Sequence, residues 1–160
     1  MYYTTVKSPI DELLLASDGR ALRRVEMAPF ETPTEWELDE RPFGDVMEQL
    51  DSYFQGERRE FDLELEPGGT PFQARVWGAL RGIPYGETVS YGEIGRLVGS
   101  PRAVRAVGRA VGANPLPIIL PCHRVIGADG TPTGYGGGLE RKARLLALEG
   151  AQISWGPALS

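Results

Sequence analysis

Apolar and polar positions alternate from the start of the chain. Tyr2-Tyr3-Thr4-Thr5-Val6 is rich in β-formers and is broken by Ser8-Pro9. Residues 12–17 and 21–27 flank Asp18-Gly19, the signature of a β-hairpin. Residues 29–42 lose the pattern and are expected to be an acidic, proline-punctuated loop. Phe43, Val46, Met47, Leu50, Tyr53 and Phe54 then recur at helical spacing and stop before Gly56. Phe61, Leu63 and Leu65 alternate as a strand would, and Glu66-Pro67-Gly68-Gly69 reads as a linker. The pattern predicts a first domain over residues 1–66, α/β with a mainly antiparallel sheet, and a second over residues 67–160.

The second half is patterned for helices. Thr70 can cap a helix with Pro71 at its first position, and Phe72, Val76, Trp77 and Leu80 form a stripe suited to a core. Residues 84–88 read as a loop. Residues 89–98 are expected to be helical, with Ser90 and Glu93 at the spacing of a capping box. Gly99-Ser100-Pro101 breaks that helix, and residues 102–113 are expected to form another. Two short helices across a glycine-containing turn make a helix-turn-helix candidate, although many helix pairs look alike.

The second of these helices has an unusual composition. Ala103, Val104, Ala106, Val107, Gly108, Ala110, Val111 and Gly112 are nearly all small. Two glycines inside a helix cost roughly 2 kcal/mol relative to alanine. Small side chains permit close approach to another backbone or to a narrow groove. Arg102, Arg105 and Arg109 fall three and four residues apart, on one face. Packing against a neighbouring helix, with solvated arginines, would account for the same pattern.

Charge sharpens the division of the chain. The 160 residues carry a formal net charge of −5, which argues against a nucleic-acid partner if read as a whole. Residues 1–66 hold 17 acids and 7 bases, whereas residues 67–160 hold 5 acids and 10 bases. An acidic module thus precedes a basic one that carries the arginine helix, a distribution compatible with DNA at the second half. Leu13-Leu14-Leu15-Ala16 is too short for a signal core, and no run approaches a membrane span. A soluble cytoplasmic protein with no membrane association is expected.

The chain contains 1 cysteine and 1 histidine, and they are neighbours: Cys122 and His123 in Leu120-Pro121-Cys122-His123-Arg124-Val125-Ile126. An imidazole can take a thiol's proton, directly or through one water, and leave a soft nucleophile. A buried inert cysteine beside an incidental histidine is the plain alternative. A lone cysteine excludes an internal disulfide, and its exposed thiolate would suit a reducing compartment. One Cys and one His cannot build a zinc site of the usual nitrogen and sulfur ligands, so no metal and no cofactor are expected.

Arg105-Ala106-Val107-Gly108, Asn114-Pro115, Ile118-Ile119-Leu120-Pro121-Cys122-His123-Arg124-Val125-Ile126, Gly134-Tyr135, Lys142, Leu145-Leu146 and Glu149 together resemble the O6-alkylguanine-DNA alkyltransferases. The likeness keeps order and spacing over residues 71–150. It implies a ribonuclease-H-like first domain and a mostly helical second domain with a helix-turn-helix. It implies an irreversible transfer of the alkyl group from guanine O6, and also from O4-alkylthymine, onto Cys122. His123 would be the base, Glu149 the carboxylate that orients it, Asn114 a clamp on the turn beside the thiol, and Tyr91 the proton source for the leaving guanine. Arg105 would intrude into the base stack. Arg102, Arg109, Ala103, Ala106 and Gly108 would line the DNA-facing surface, set in the minor groove of double-stranded DNA with little sequence preference. Tyr91, Val125, Tyr135, Gly136, Gly137 and Pro117 would line the alkylguanine pocket. Some relatives carry a serine where Gly136 stands, and some a bulky residue where Gly137 stands. A monomer consumed in one turnover is implied. Two other classes fit parts of the pattern: a Cys-His hydrolase, which would turn over, and a helix-turn-helix regulator responding to oxidation or alkylation of Cys122.

Overall fold

The computed structural model describes residues 1–130 and 134–151. The chain is mixed α/β and divides into two compact units, Met1–Gly68 and Gly69–Ser160.

In the first unit a four-stranded sheet runs in the order β3-β2-β1-β4. Strands β1 (Tyr2–Val6), β2 (Leu13–Ser17) and β3 (Leu22–Met27) are joined antiparallel, with Thr4 opposite Leu15 and Leu15 opposite Val25. All five residues of β2 are buried, which fits a central strand covered on both faces. Helix α1 (Gly44–Phe54) lies C-terminal to a 3-10 turn over Arg41–Phe43, and buries Val46, Leu50 and Tyr53. Two expectations change here. The 29–42 stretch is not loop throughout: Glu37–Leu38 forms β4 and pairs in parallel with Tyr2 and Tyr3. Phe61, Leu63 and Leu65 do not form a strand. Only Leu65 bridges to Leu22, because Leu22 satisfies both its backbone groups on Glu64 and Glu66 and the ladder goes no further.

The second unit begins with α2 (Pro71–Arg81). Thr70 and Gln73 exchange the two hydrogen bonds of a capping box at its start. Val76, Trp77 and Leu80 are buried, and the Trp77 indole N–H donates to the Ala110 carbonyl at 2.8 Å. That bond ties α2 to α4 (Val104–Gly112). Helix α3 (Tyr91–Leu97) has Ser90 as its cap, with Glu93 reciprocating. It is shorter than its apolar pattern suggests. Val89 and Ser90 are extended as β5 and pair in parallel with Val125 and Ile126 of β6. A capping residue is by nature outside its helix, so the box at Ser90 already removes Val89 from α3.

Helix α4 is also shorter than expected. Arg102 lies in the preceding turn and Ala103 is the cap, so neither shares the helical face with Arg105 and Arg109. Val107, Ala110 and Val111 face inward. Helix α5 (Leu139–Leu148) closes the described part of the unit, burying Lys142, Leu145 and Leu146. Among the described residues no helix is long and apolar enough to cross a membrane.

Candidate active site

Cys122, His123 and Arg124 form a single 3-10 turn that runs directly into β6. All three are buried, His123 completely. The turn is presented by the segment before it, which is held in a costly shape. Ile118, a β-branched residue, sits at φ +76, a region such side chains avoid at about 1–3 kcal/mol. Asn114 clamps both ends of this segment. Its Oδ1 accepts from the Leu116 N–H at 2.9 Å, and its Nδ2 donates to the Leu120 carbonyl at 2.7 Å. Pro117 lies half-buried inside the clamped loop.

The imidazole is held from the other side by α5. His123 Nε2 lies 2.8 Å from Glu149 Oε2. With a carboxylate as partner, the proton belongs on Nε2, which leaves a lone pair on Nδ1. Nδ1 is buried and has no hydrogen-bond partner among the described residues. Burial is the main influence on the ring and pulls its pKa below the ordinary histidine value. Glu149 pushes it up, and Arg124 and Lys142 pull it down. A neutral imidazole with a free Nδ1 is a base awaiting a proton.

Glu149 is 5 % exposed, so it is no solvated helix end. It occupies the C-cap of α5, where the helix dipole disfavours a negative charge. Arg124 compensates with two hydrogen bonds, Nε to Oε1 at 2.7 Å and Nη2 to Oε2 at 2.9 Å. Gly150 fixes the cap. Its left-handed φ of +72 allows Gly150 N–H to reach Ala147 and Ala151 N–H to reach Leu146, the pair of bonds that ends a helix sharply. The loop after α2 supports the same corner. Arg124 Nη1 donates to the Ile83 carbonyl at 2.7 Å, its guanidinium lies over the Tyr85 ring, and the Tyr85 hydroxyl donates to the Leu148 carbonyl at 3.3 Å. A Cβ on Gly86, at φ +81, would come within 3.0 Å of the Glu149 carbonyl oxygen.

Around the thiol, burial dominates and raises the Cys122 pKa above its ordinary value. The Asn114 amide, the Lys142 charge and the Tyr135 hydroxyl oppose it in that order of strength, with a backbone contribution beside them. Lys142 is buried on the apolar stripe of α5. Its Nζ donates to the Val125 carbonyl at 2.6 Å, and burial lowers its own pKa to about 8. Tyr135 belongs to the 134–138 loop, where Gly136 is exposed and Gly137 half-buried.

The structure therefore brings Cys122, His123, Glu149, Asn114, Tyr135 and Val125 into one cluster. Tyr91 opens α3, half-buried, and the β5–β6 pairing carries it beside the strand that leaves the thiol. Arg105 and Arg109 are exposed on α4, with Ala106 and Gly108 half-exposed on the same helix. A Cβ built on Gly108 or Gly112 meets nothing within 4 Å, so these glycines serve no close packing among the described residues. Sequence reasoning missed Arg124, Lys142 and Tyr85 as parts of the site. Lys142 carried a signal: it shares the i, i+3, i+4 stripe of Leu145 and Leu146, where a lysine is out of place unless it has a buried acceptor.

Known proteins resemble the chain over nearly all of its length. The family described as 6-O-methylguanine DNA methyltransferase, DNA binding domain, matches residues 71–151, and its ribonuclease-like domain matches residues 1–67. The methylated-DNA–protein-cysteine methyltransferase of Mycobacterium tuberculosis is 53% identical over 152 residues, covering 93% of this chain and 92% of the relative. The protein of the same name from Methanosarcina acetivorans is 50% identical over 155 residues, covering 94% and 99%. The crystal structure of Mycobacterium tuberculosis OGT in complex with DNA superposes with a TM-score of 0.90 at 53% identity, covering 94% of this chain and 93% of that one.

Proposed function

Because the chain belongs to the 6-O-methylguanine DNA methyltransferase family, we propose that it repairs DNA by moving the alkyl group of O6-alkylguanine onto Cys122. The observation that carries this reading is the buried Cys122–His123–Glu149 arrangement, with Nδ1 of His123 left as a free base.

His123 takes the thiol proton at Nδ1, directly or through one water, and Glu149 stabilises the imidazolium that forms. The Cys122 thiolate attacks the alkyl carbon in line. The S–C bond forms, the C–O6 bond breaks, and the electron pair leaves on guanine, which Tyr91 protonates. The thioether on Cys122 has no second cysteine to resolve it, since the chain holds 1. One protein molecule therefore removes one alkyl group, with no cofactor. O4-alkylthymine presents the same ether and is a second substrate.

The partner is double-stranded DNA. Helix α4 offers a bare backbone at Gly108, between the exposed Arg105 and Arg109, and again at Gly112 beyond them, a surface that suits the minor groove. Donor and acceptor patterns there are degenerate, so recognition is tolerant of sequence, as repair requires. Arg105 fills the gap left by the flipped base and offsets part of the few kcal/mol that flipping costs. Val125, Tyr135, Gly136, Gly137 and Pro117 enclose the flipped guanine. Residues 67–160 hold the whole of this machinery. The protein acts as a monomer in the cytoplasm, where the thiol stays reduced.

Intact mass after incubation with O6-methylguanine DNA tests this. The expected result is one methyl replacing one hydrogen, mapped to Cys122, and repair that halts at one lesion per protein. Sustained turnover, or methyl on another residue, overturns it.

A further inference from the structure

The 134–138 loop, Gly134-Tyr135-Gly136-Gly137-Gly138, offers one functional side chain. The hydroxyl of Tyr135 is buried and lacks a hydrogen-bond partner of regular geometry among the described residues. Leaving such a group unpaired costs stability. The loop nevertheless keeps the residue in place, with the Gly138 N–H donating to the Tyr135 carbonyl at 2.8 Å. Its neighbour is the reacting thiol: the phenol eases the ionisation of Cys122, and a charge on Cys122 opposes ionisation of the phenol. Burial holds Tyr135 well above the ordinary phenol range, so it remains a proton-bearing donor wherever the protein is folded and active.

In the displacement, negative charge develops on guanine O6, one alkyl carbon away from sulfur. The ether oxygen of the intact substrate is a weak acceptor, and the departing oxygen is a strong one. A donor beside the sulfur, already desolvated and held by no hydrogen bond of regular geometry, can turn to that oxygen as its contact with the thiol weakens. Neither Gly134 nor Gly136, its neighbours in the chain, has a side chain to do so.

We propose that the Tyr135 hydroxyl donates a hydrogen bond to guanine O6 as the C–O6 bond breaks, which makes Tyr135 a catalytic residue. The proposal rests on the alkyl-transfer reading above. Tyr135 keeps its proton throughout. The proton leaving Cys122 goes to His123, and the guanine anion is neutralised by protonation elsewhere on the ring. The bond is strongest in the transition state, so it accelerates transfer instead of merely tightening binding.

Tyr135→Phe removes the hydroxyl and keeps the ring. Three single-turnover rates decide the matter: transfer from O6-benzylguanine, transfer from O6-benzyl-8-azaguanine, whose ring departs as a more stable anion, and alkylation of Cys122 by iodoacetamide, which has no O6. The expected result is a loss of about 10- to 100-fold on O6-benzylguanine, a smaller loss on the aza analogue, and an iodoacetamide reaction whose pH midpoint moves up, because the phenol no longer eases ionisation of Cys122, but whose plateau rate above that midpoint is unchanged. A parallel loss in the iodoacetamide plateau rate, where Cys122 is fully ionised, overturns the proposal, because the phenol would then serve the thiolate alone. So does a Tyr135→Phe variant that transfers as fast as wild type while wild type itself is active. A wild-type protein that leaves Cys122 unmodified by both O6-benzylguanine and O6-methylguanine DNA overturns the alkyl-transfer reading instead, and this proposal falls with it.

Discussion

His123 and Arg124, consecutive in the chain, meet on one oxygen: Nε2 of the first lies 2.8 Å and Nη2 of the second 2.9 Å from Oε2 of Glu149. The carboxylate that orients the base is therefore also the counter-charge of a buried guanidinium. Orientation and stability cannot be separated at this residue.

Glu149→Gln is expected to damage both. Glutamine can still accept a hydrogen bond from the imidazole, but Arg124 is left as a buried charge without its anion, at a cost of about 3 kcal/mol. Urea unfolding should show the midpoint fall. The single-turnover rate on O6-methylguanine DNA should drop about 100-fold. A variant as stable as wild type would show that Arg124 finds another partner.

The lowered pKa of His123 gives a signed pH dependence. In the unfolded chain the ring takes a proton near its ordinary value of 6.5, and in the folded chain it resists until lower pH. Between those values the unfolded state binds more protons, so stability rises with pH there. The contribution is fully present above pH 6.5 and is lost as pH falls through that value toward the folded pKa. Thermal melts across this window should decline with acid in wild type, and the slope should flatten in His123→Gln.

Arg105→Ala separates extraction from chemistry. Arg105 is exposed on α4, and no ion pair engages it among the described residues. Its loss should change stability by less than about 0.5 kcal/mol. Repair of duplex DNA should slow more than tenfold (about 1.4 kcal/mol in the barrier), while reaction with free O6-benzylguanine stays near wild type. Equal losses on both substrates would move Arg105 from the DNA to the fold or the reaction.

Pocket size is the fourth expectation. The glycines at 136 and 137 remove bulk from the loop that bears Tyr135, so O6-benzylguanine should inactivate the protein. Gly137→Trp should cut benzyl transfer and spare methyl transfer. If wild type ignores benzylguanine while repairing methylguanine briskly, another wall limits the pocket.

The strands of the first hairpin and the capped start of α2 were legible because each depends on local chemistry: Asp18-Gly19 and Thr70-Pro71. Elements that depend on a distant partner were not. The β5–β6 pairing joins two residues to two others across 36 positions, with no periodicity to betray it. Glu37–Leu38 is strand only because β1 has a free edge, whereas the alternating stretch of Phe61, Leu63 and Leu65 found room for one bridge. In the site, Cys122 and His123 stood out by being single of their kind. Arg124 was one of many arginines, and its burial against Glu149 is a tertiary fact.

Burial of the Cys122 thiol has a consequence beyond the reaction itself. A protein that can act once must last until it meets a lesion. Thiolates, not protonated thiols, are the species that attack peroxides and disulfides and are consumed by them. Cys122 is 8 % exposed, and burial holds its pKa above the ordinary value, so at neutral pH the resting sulfur is covered and protonated. The same burial that makes the relay necessary protects the unused molecule from oxidation during its wait.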